Sequence, residues 1–174
     1  MANKYLIVVD MQKDFVDGAL GTKEAEAIVK SAADKIRSFG GKIIFTRDTH
    51  QPEYLSTQEG RFLPVVHCVE NTDGWQIISE LKEFASDAEI INKPTFGSTA
   101  LASKLKSVYE SEGIESIELI GLCTDICVVS NALLLKAVMP EVPISVDSSC
   151  CAGVTPARHE AALETMRSCQ ITVK

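Results

Sequence analysis

An α/β fold, with a doubly wound and mainly parallel six-stranded sheet carrying helices on both faces, is what this sequence predicts. Three observations lead to it. Segments rich in Val and Ile alternate with segments whose apolar residues recur every three or four positions, the pattern of strands covered by helices. Gly, Pro, Ser and Thr fall between the two kinds of segment, where turns and helix caps need them. The 174 residues, 45% of them hydrophobic, are ample for one core and short for two, so residues 1–174 are read as one domain.

The first strand is YLIVVD. Thr22 then caps a helix whose inner face is Ala25, Ile28, Val29, Ala32, Ile36 and Phe39, and Gly40-Gly41 is expected to end it in the left-handed conformation. KIIFTR is the second strand, and AEIINK, stopping at Lys93-Pro94, the third. Ser98 caps the next helix, with Leu101, Leu105, Val108 and Tyr109 on one face and Gly113 past its end. IELIG is the fourth strand. The helix through VVSNALLLKAV is apolar nearly all round, which points to burial by the sheet and by a second copy in a homo-oligomer. PISVD is the fifth strand, Pro156 opens a helix over ARHEAALETMRSC, and QITV is the sixth strand. Residues 48–75 show no sustained period, and ordered loops of that length are usually functional.

Charge narrows the function. Acidic residues outnumber basic ones, 24 to 17, for a net charge of −7, and no block of Lys and Arg forms the footprint of a nucleic-acid or anionic-membrane surface. A small molecule or a protein is the expected partner. The first apolar run holds five residues before Asp10, too few for a signal-peptide core or a membrane span, so the expected location is the cytoplasm. There the six cysteines, at 68, 123, 127, 150, 151 and 169, should stay reduced.

In an open parallel sheet the ligand crevice lies beyond the carboxyl ends of the strands. Strand one ends at Asp10, strand two at Arg47-Asp48, strand three at Lys93, and strand four at Gly121, just before Cys123 and Cys127. A carboxylate, an ammonium and a thiol thus meet on one rim, either as a strand-end ion pair or as catalytic groups. With Thr124 as N-cap, Cys127 is the third helical residue, where the helix dipole and Lys93 favour a thiolate nucleophile. The backbone N–H groups of Cys123 and Cys127 then face one spot, as an oxyanion hole requires. In the irregular loop, Asp48, His50, Glu59 and His67 are either a polar surface or the ligands of one divalent Zn, Mn or Fe ion. His159 reads as a solvated or packed residue.

These residues together resemble the isochorismatase-like cysteine hydrolases, a family that includes nicotinamidases. The resemblance rests on VVDMQKDF at 8–15, TRDTH at 46–50, LPVVHC at 63–68, KPTFGST at 93–99, GLCTDICV at 121–128 and VDSSCCAG at 146–153. It implies a catalytic triad of Asp10, Lys93 and Cys127 and a non-proline cis peptide at Leu122–Cys123. Asp48, His50 and His67 resemble the metal-binding pattern of the nicotinamidase branch, with Glu59 where many members have a further histidine. The implied activity is hydrolysis of a small amide, nicotinamide first, in pyridine-nucleotide salvage. An aromatic commonly precedes the HC pair to stack on the pyridine; here Phe62 and Leu63 precede Pro64-Val65-Val66, so Phe15, Phe62 and Leu63 are the expected substrate contacts. Trp75, after Asp73-Gly74, is either a replacement ring or a staple at a helix start. Competing readings are the same fold acting on another amide, a carbamoyl compound or a vinyl ether, and a thiol redox protein using Cys123 and Cys127. Against the last, the two thiols are four apart rather than in CxxC spacing.

Overall fold

Strand-forming and helix-forming runs alternate as predicted. In the computed structural model, which describes residues 3–174, the strands are β1 (Lys4–Val9), β2 (Lys42–Asp48), β3 (Glu89–Lys93), β4 (Ser116–Leu122), β5 (Ile144–Ala152) and β6 (Thr172–Val173). The helices are α1 (Lys13–Val16), α2 (Lys23–Ser38), α3 (Gln58–Phe62), α4 (Lys82–Ser86), α5 (Thr99–Glu112), α6 (Val129–Val138) and α7 (Pro156–Ser168). One sheet runs in the order β3-β2-β1-β4-β5-β6, and every pairing in it is parallel.

Both faces of that sheet are covered, so β1 is apolar from Tyr5 to Val9 and divides those side chains between two cores. Tyr5, Ile7 and Val9 join Leu105 of α5, Leu135 of α6 and Met166 of α7. Leu6 and Val8 join Ile28 and Ile36 of α2 on the other face. Strand order reverses between β1 and β4, and at such a switch point the flanking connections leave in opposite directions and open a crevice. No helix among the described residues is long and apolar enough to cross a membrane.

The caps follow the sequence. Thr22 Oγ1 accepts from Ala25 N–H at 3.0 Å, Ser98 Oγ from Leu101 N–H at 3.1 Å, and Gly113 ends α5 with φ of 75°. Gly40 and Gly41 behave differently: α2 ends on an extended Phe39, and neither glycine has positive φ. Gly41 is required by proximity, since a Cβ there would lie 2.5 Å from the Lys4 carbonyl oxygen. Strand β5 also runs five residues past Asp147. Asp147 Oδ1 accepts from Ser149 N–H and Oγ, a local closure that reads as a turn in sequence, yet the chain then re-pairs with β4 at Cys151 and Ala152 after a register shift.

Candidate active site

The ends of β1, β3 and β4 bring Asp10, Lys93 and Cys127 into contact. Lys93 Nζ lies 2.6 Å from Asp10 Oδ2, 3.4 Å from Cys127 Sγ, 3.4 Å from Asp48 Oδ1 and 3.1 Å from the Thr95 carbonyl oxygen. Thr46 Oγ1 donates to the other Asp10 oxygen at 2.6 Å. Asp10 and Lys93 are wholly buried, and Cys127 nearly so.

Burial and neighbouring charge act against each other in this site. Burial would push Lys93 down, but Asp10, Cys127 and Asp48 outweigh it and hold the ammonium above the usual lysine range. Burial raises Asp10, against the pull of Lys93. Cys127 is raised well above an ordinary thiol by burial and by the Asp10 charge, with Lys93 opposing. Burial and the Asp10 charge thus oppose the thiolate that the helix dipole and Lys93 favour, beside a carboxylate of raised basicity. Cys123 is likewise pushed up to about 12 by burial and by Asp125.

The turn carrying Cys127 also departs from expectation. Thr124–Val128 form a π-helical turn whose N-cap is Cys123, and Thr124 caps nothing. Its hydroxyl instead lies 2.8 Å from His159 Nδ1 of α7, which places His159 as a packed, half-buried partner. Ile126 and Val128 N–H both donate to the Cys123 carbonyl, the Cys123 N–H finds no backbone acceptor among the described residues, and the Thr124 hydroxyl turns to His159 rather than to the Cys127 N–H. The Leu122–Cys123 peptide is cis.

Asp48, His50, Glu59 and His67 converge, each offering a ligand atom within 4.8 Å of the others. Asp48 Oδ2 lies 3.0 Å from His50 Nε2 and 3.7 Å from His67 Nε2, and Glu59 Oε1 lies 3.5 Å and 3.9 Å from the same two nitrogens. His67 donates from Nδ1 to the Val65 carbonyl at 2.8 Å when Nε2 carries the lone pair, the arrangement of a metal-binding imidazole. His50 Nε2 is buried without a hydrogen-bond partner, an unmet polar atom of the kind a cation satisfies. The donor set and that orphan nitrogen fit a divalent transition ion.

The loop supplying these ligands is held by groups the sequence did not single out. Gln12, fully buried, accepts from Asp48 N–H at 2.7 Å and donates to the Asp48 and Trp75 carbonyls, each at 2.9 Å. His50 N–H donates to the Cys68 carbonyl, and Cys68 N–H to Asp14, so two distant stretches are drawn together. Tyr54, buried, packs its ring 4.6 Å from His50 and 5.0 Å from His67 and donates to the Leu63 carbonyl. The signal for Gln12 was its place two residues beyond a strand end.

Cys127, Asp48, Glu59 and His67 share one cavity of about 320 Å³. Phe15 lines it from within, its ring 5.5 Å from that of His67. Phe62 and Leu63 line its exposed mouth together with Phe96, which sequence reasoning passed over. Trp75 takes no part in the lining and starts no helix. Its indole N–H donates to Thr49 Oγ1 at 2.9 Å, and the Arg47 guanidinium lies 3.3 Å above its ring, so the ring anchors the loop from behind. Arg158, at the start of α7, also lines the cavity.

Comparison with known proteins agrees with this geometry. The zinc complex of a pyrazinamidase from Pyrococcus horikoshii is 32% identical, with 99% of this chain and 98% of that one covered and a TM-score of 0.81. A nicotinamidase/pyrazinamidase from Bacillus subtilis is 26% identical, with 98% of both chains covered and a TM-score of 0.80. An N-carbamoylsarcosine amidase from Thermoplasma acidophilum is 27% identical, with 99% and 95% covered and a TM-score of 0.79. A nicotinamidase from Saccharomyces cerevisiae is 24% identical across 75% of this chain and 80% of its own length. The isochorismatase domain matches residues 4–174, and the chain belongs to that family as an isochorismatase-like hydrolase.

Proposed function

We propose that this hydrolase cleaves the C–N bond of a small amide through a Cys127 thioester, with nicotinamide, giving nicotinate and ammonia, as the foremost substrate. The observation that carries the reading is a thiol in contact with a buried ammonium that is itself paired with a buried carboxylate, opening on the cavity that also receives Asp48, Glu59 and His67.

The substrate carbonyl enters with its oxygen toward the backbone N–H groups of Cys123 and Cys127. Cys127 Sγ attacks the carbonyl carbon as its proton passes to Asp10, whose raised basicity suits it to accept. Lys93 keeps its own proton throughout and offsets the negative charge that moves between sulfur and carboxylate. Asp10 then returns the proton to the departing nitrogen, and ammonia leaves a thioester. Water attacks that carbonyl while Asp10 takes its proton, and collapse of the tetrahedral adduct restores the thiol and releases the acid. Holding the amide over Sγ is a large part of the acceleration, which Phe15 and the apolar walls provide by confining a flat ring. A divalent Zn, Mn or Fe ion held by Asp48, His50, Glu59 and His67 would supply a Lewis acid for a ring nitrogen or a water molecule.

A carbamoyl compound is the second reading, favoured by Arg158, which offers a carboxylate a partner that nicotinamide would leave unused. Self-association through the half-buried Leu133 and Leu134 of α6, and a cytoplasmic setting that keeps six free cysteines reduced, belong to the same picture. Ammonia release across a panel of nicotinamide, pyrazinamide and N-carbamoyl amino acids tests the chemistry. Cys127→Ala should abolish release, and Cys123→Ala, which keeps its backbone donor, should retain most of it; equal loss in both variants would remove Cys127 from its role.

A further inference from the structure

Thr124 poses a question that the thioester reading leaves open. A threonine at the start of a helix ordinarily adopts extended φ/ψ and accepts, through its hydroxyl, the N–H two or three residues on. For Thr124 the third residue is Cys127. That conformation would fill the N–H group that the reading assigns to the oxyanion. In the structure the turn begins one residue earlier: Cys123 is the extended N-cap, its side chain caps nothing, and Thr124 lies within the first turn.

What holds Thr124 there comes from the far side of the sequence. Its fully buried hydroxyl lies 2.8 Å from His159 Nδ1, 35 residues away in α7. A second tie joins the same two segments, as Val154 N–H donates to Asp125 Oδ1 at 3.0 Å. Gly153 lets the segments approach this closely: a Cβ there would lie 2.8 Å from His159 N and 3.0 Å from Asp125 Oδ1. The connection between β5 and α7 is thus docked on the cysteine turn through one hydroxyl, one carboxylate and one missing side chain.

We propose that His159 is a positioning residue: by engaging the Thr124 hydroxyl it holds the turn in its early-starting form and so keeps that hydroxyl from capping the Cys127 N–H, which then serves substrate oxygen. This rests on Cys127 as the reacting residue. For Thr124 to cap Cys127 the turn would have to restart at an extended Thr124, whereas with its hydroxyl on His159 the turn starts at Cys123. His159 itself touches neither substrate nor sulfur, and its effect passes through Thr124.

Removing the imidazole should free Thr124 to cap Cys127, and removing the threonine hydroxyl as well should reopen the N–H. In His159→Ala, kcat for ammonia release from nicotinamide is expected to fall about 100-fold, the scale of one lost oxyanion donor, with KM within about threefold of wild type. Adding Thr124→Val should recover at least about tenfold of that loss, because neither a partner nor a cap then remains. His159→Asn, which retains a polar group near the Nδ1 position, should keep most of kcat. His159→Leu fills the ring's volume and serves if the alanine variant unfolds α7. Hydrogen exchange at the Cys127 amide of the unliganded protein gives a readout independent of turnover: it should slow about tenfold or more in His159→Ala and recover in the double variant. Unchanged exchange in His159→Ala, or a double variant as slow as the single, would overturn the proposal. Turnover surviving in Cys127→Ala would instead overturn the thioester reading, so the two failures are distinguishable.

Discussion

Two lysines of this chain are each clasped by two carboxylates, one at the carboxyl end of the sheet and one on its flank. Lys93 lies between Asp10 and Asp48, wholly buried, with the Cys127 sulfur against it. Lys35 of α2 lies 2.6 Å from Glu118 of β4 and 2.7 Å from Asp147 of β5, with a quarter of its side chain exposed and Lys174 also on Glu118. The carboxylates respond in opposite directions. Burial would raise Asp147, but Lys35 and Ser149 overcome it and hold the group below the usual range. At Asp10, burial wins over Lys93 and the group is raised. One pairing pattern therefore raises Asp10, where burial is complete, and lowers Asp147 and also Asp48, where His50 adds to Lys93.

Removing each ammonium tests that difference most severely. Lys93→Met leaves Asp10 and Asp48 facing each other without a countercharge, and should cost about 3–5 kcal/mol in urea unfolding and roughly 10³-fold or more in kcat. Lys35→Met should cost only about 1 kcal/mol and leave kcat within about twofold. Comparable losses from the two substitutions would show that burial does not set them apart.

Metal removal sharpens the contrast, because only the Lys93 site adjoins a ligand cluster. Chelation should lower thermal stability, and restoring Zn²⁺ at about a thousand times its dissociation constant should return roughly 4 kcal/mol. His50→Ala should remove most of that response, as read by stoichiometric metal content together with melting temperature. Gln12→Leu comes next: it strips three hydrogen bonds from the Asp48 and Trp75 backbone and should cost about 2–3 kcal/mol, with metal content falling alongside.

The smallest effect concerns acid. Asp147 has a lower pKa folded than unfolded, so the unfolded chain binds more protons as pH falls. Its contribution is present above the unfolded value of about 3.9 and is lost as pH falls through the depressed folded value. Asp147→Asn should therefore be less stable than wild type at pH 7 by about 1 kcal/mol, with the gap closing as pH falls through the depressed folded value. Lys35 works in reverse: its folded pKa is raised, so its contribution is full below the unfolded lysine value of about 10.4 and fades as pH climbs past the folded one.

Much of this was legible in the sequence because the parallel sheet turns a one-dimensional rule into a place. Residues that close strands lie on one rim, which put Asp10, Asp48, Lys93 and the cysteines together without any knowledge of the loops. His50 and His67 were visible as ligand types, but their meeting depends on backbone bonds between His50 and Cys68 that no local pattern announces. Gln12 carries no charge and no periodic signal; its one mark in the sequence is its place two residues beyond Asp10. Ser148-Ser149 imitates the end of a strand because Asp147 closes a local turn there. Thr124 misled for a related reason: its local preference is to cap, and its partner sits in the last helix. In each miss, a distant contact overrode a sound local tendency.

Asp48 belongs to both halves of the site, one oxygen 3.4 Å from Lys93 and the other 3.0 Å from His50. Its carboxylate is thus a shared term in two binding equilibria, and linkage requires the exchange to be reciprocal. A cation drawn to the histidines competes for the same negative charge that steadies Lys93. Any substitution at Lys93 that alters that charge must change cation affinity by the factor with which the cation changes the free energy of the lysine site. The ligand cluster and the thiol are two ends of one electrostatic circuit, and neither is tuned alone.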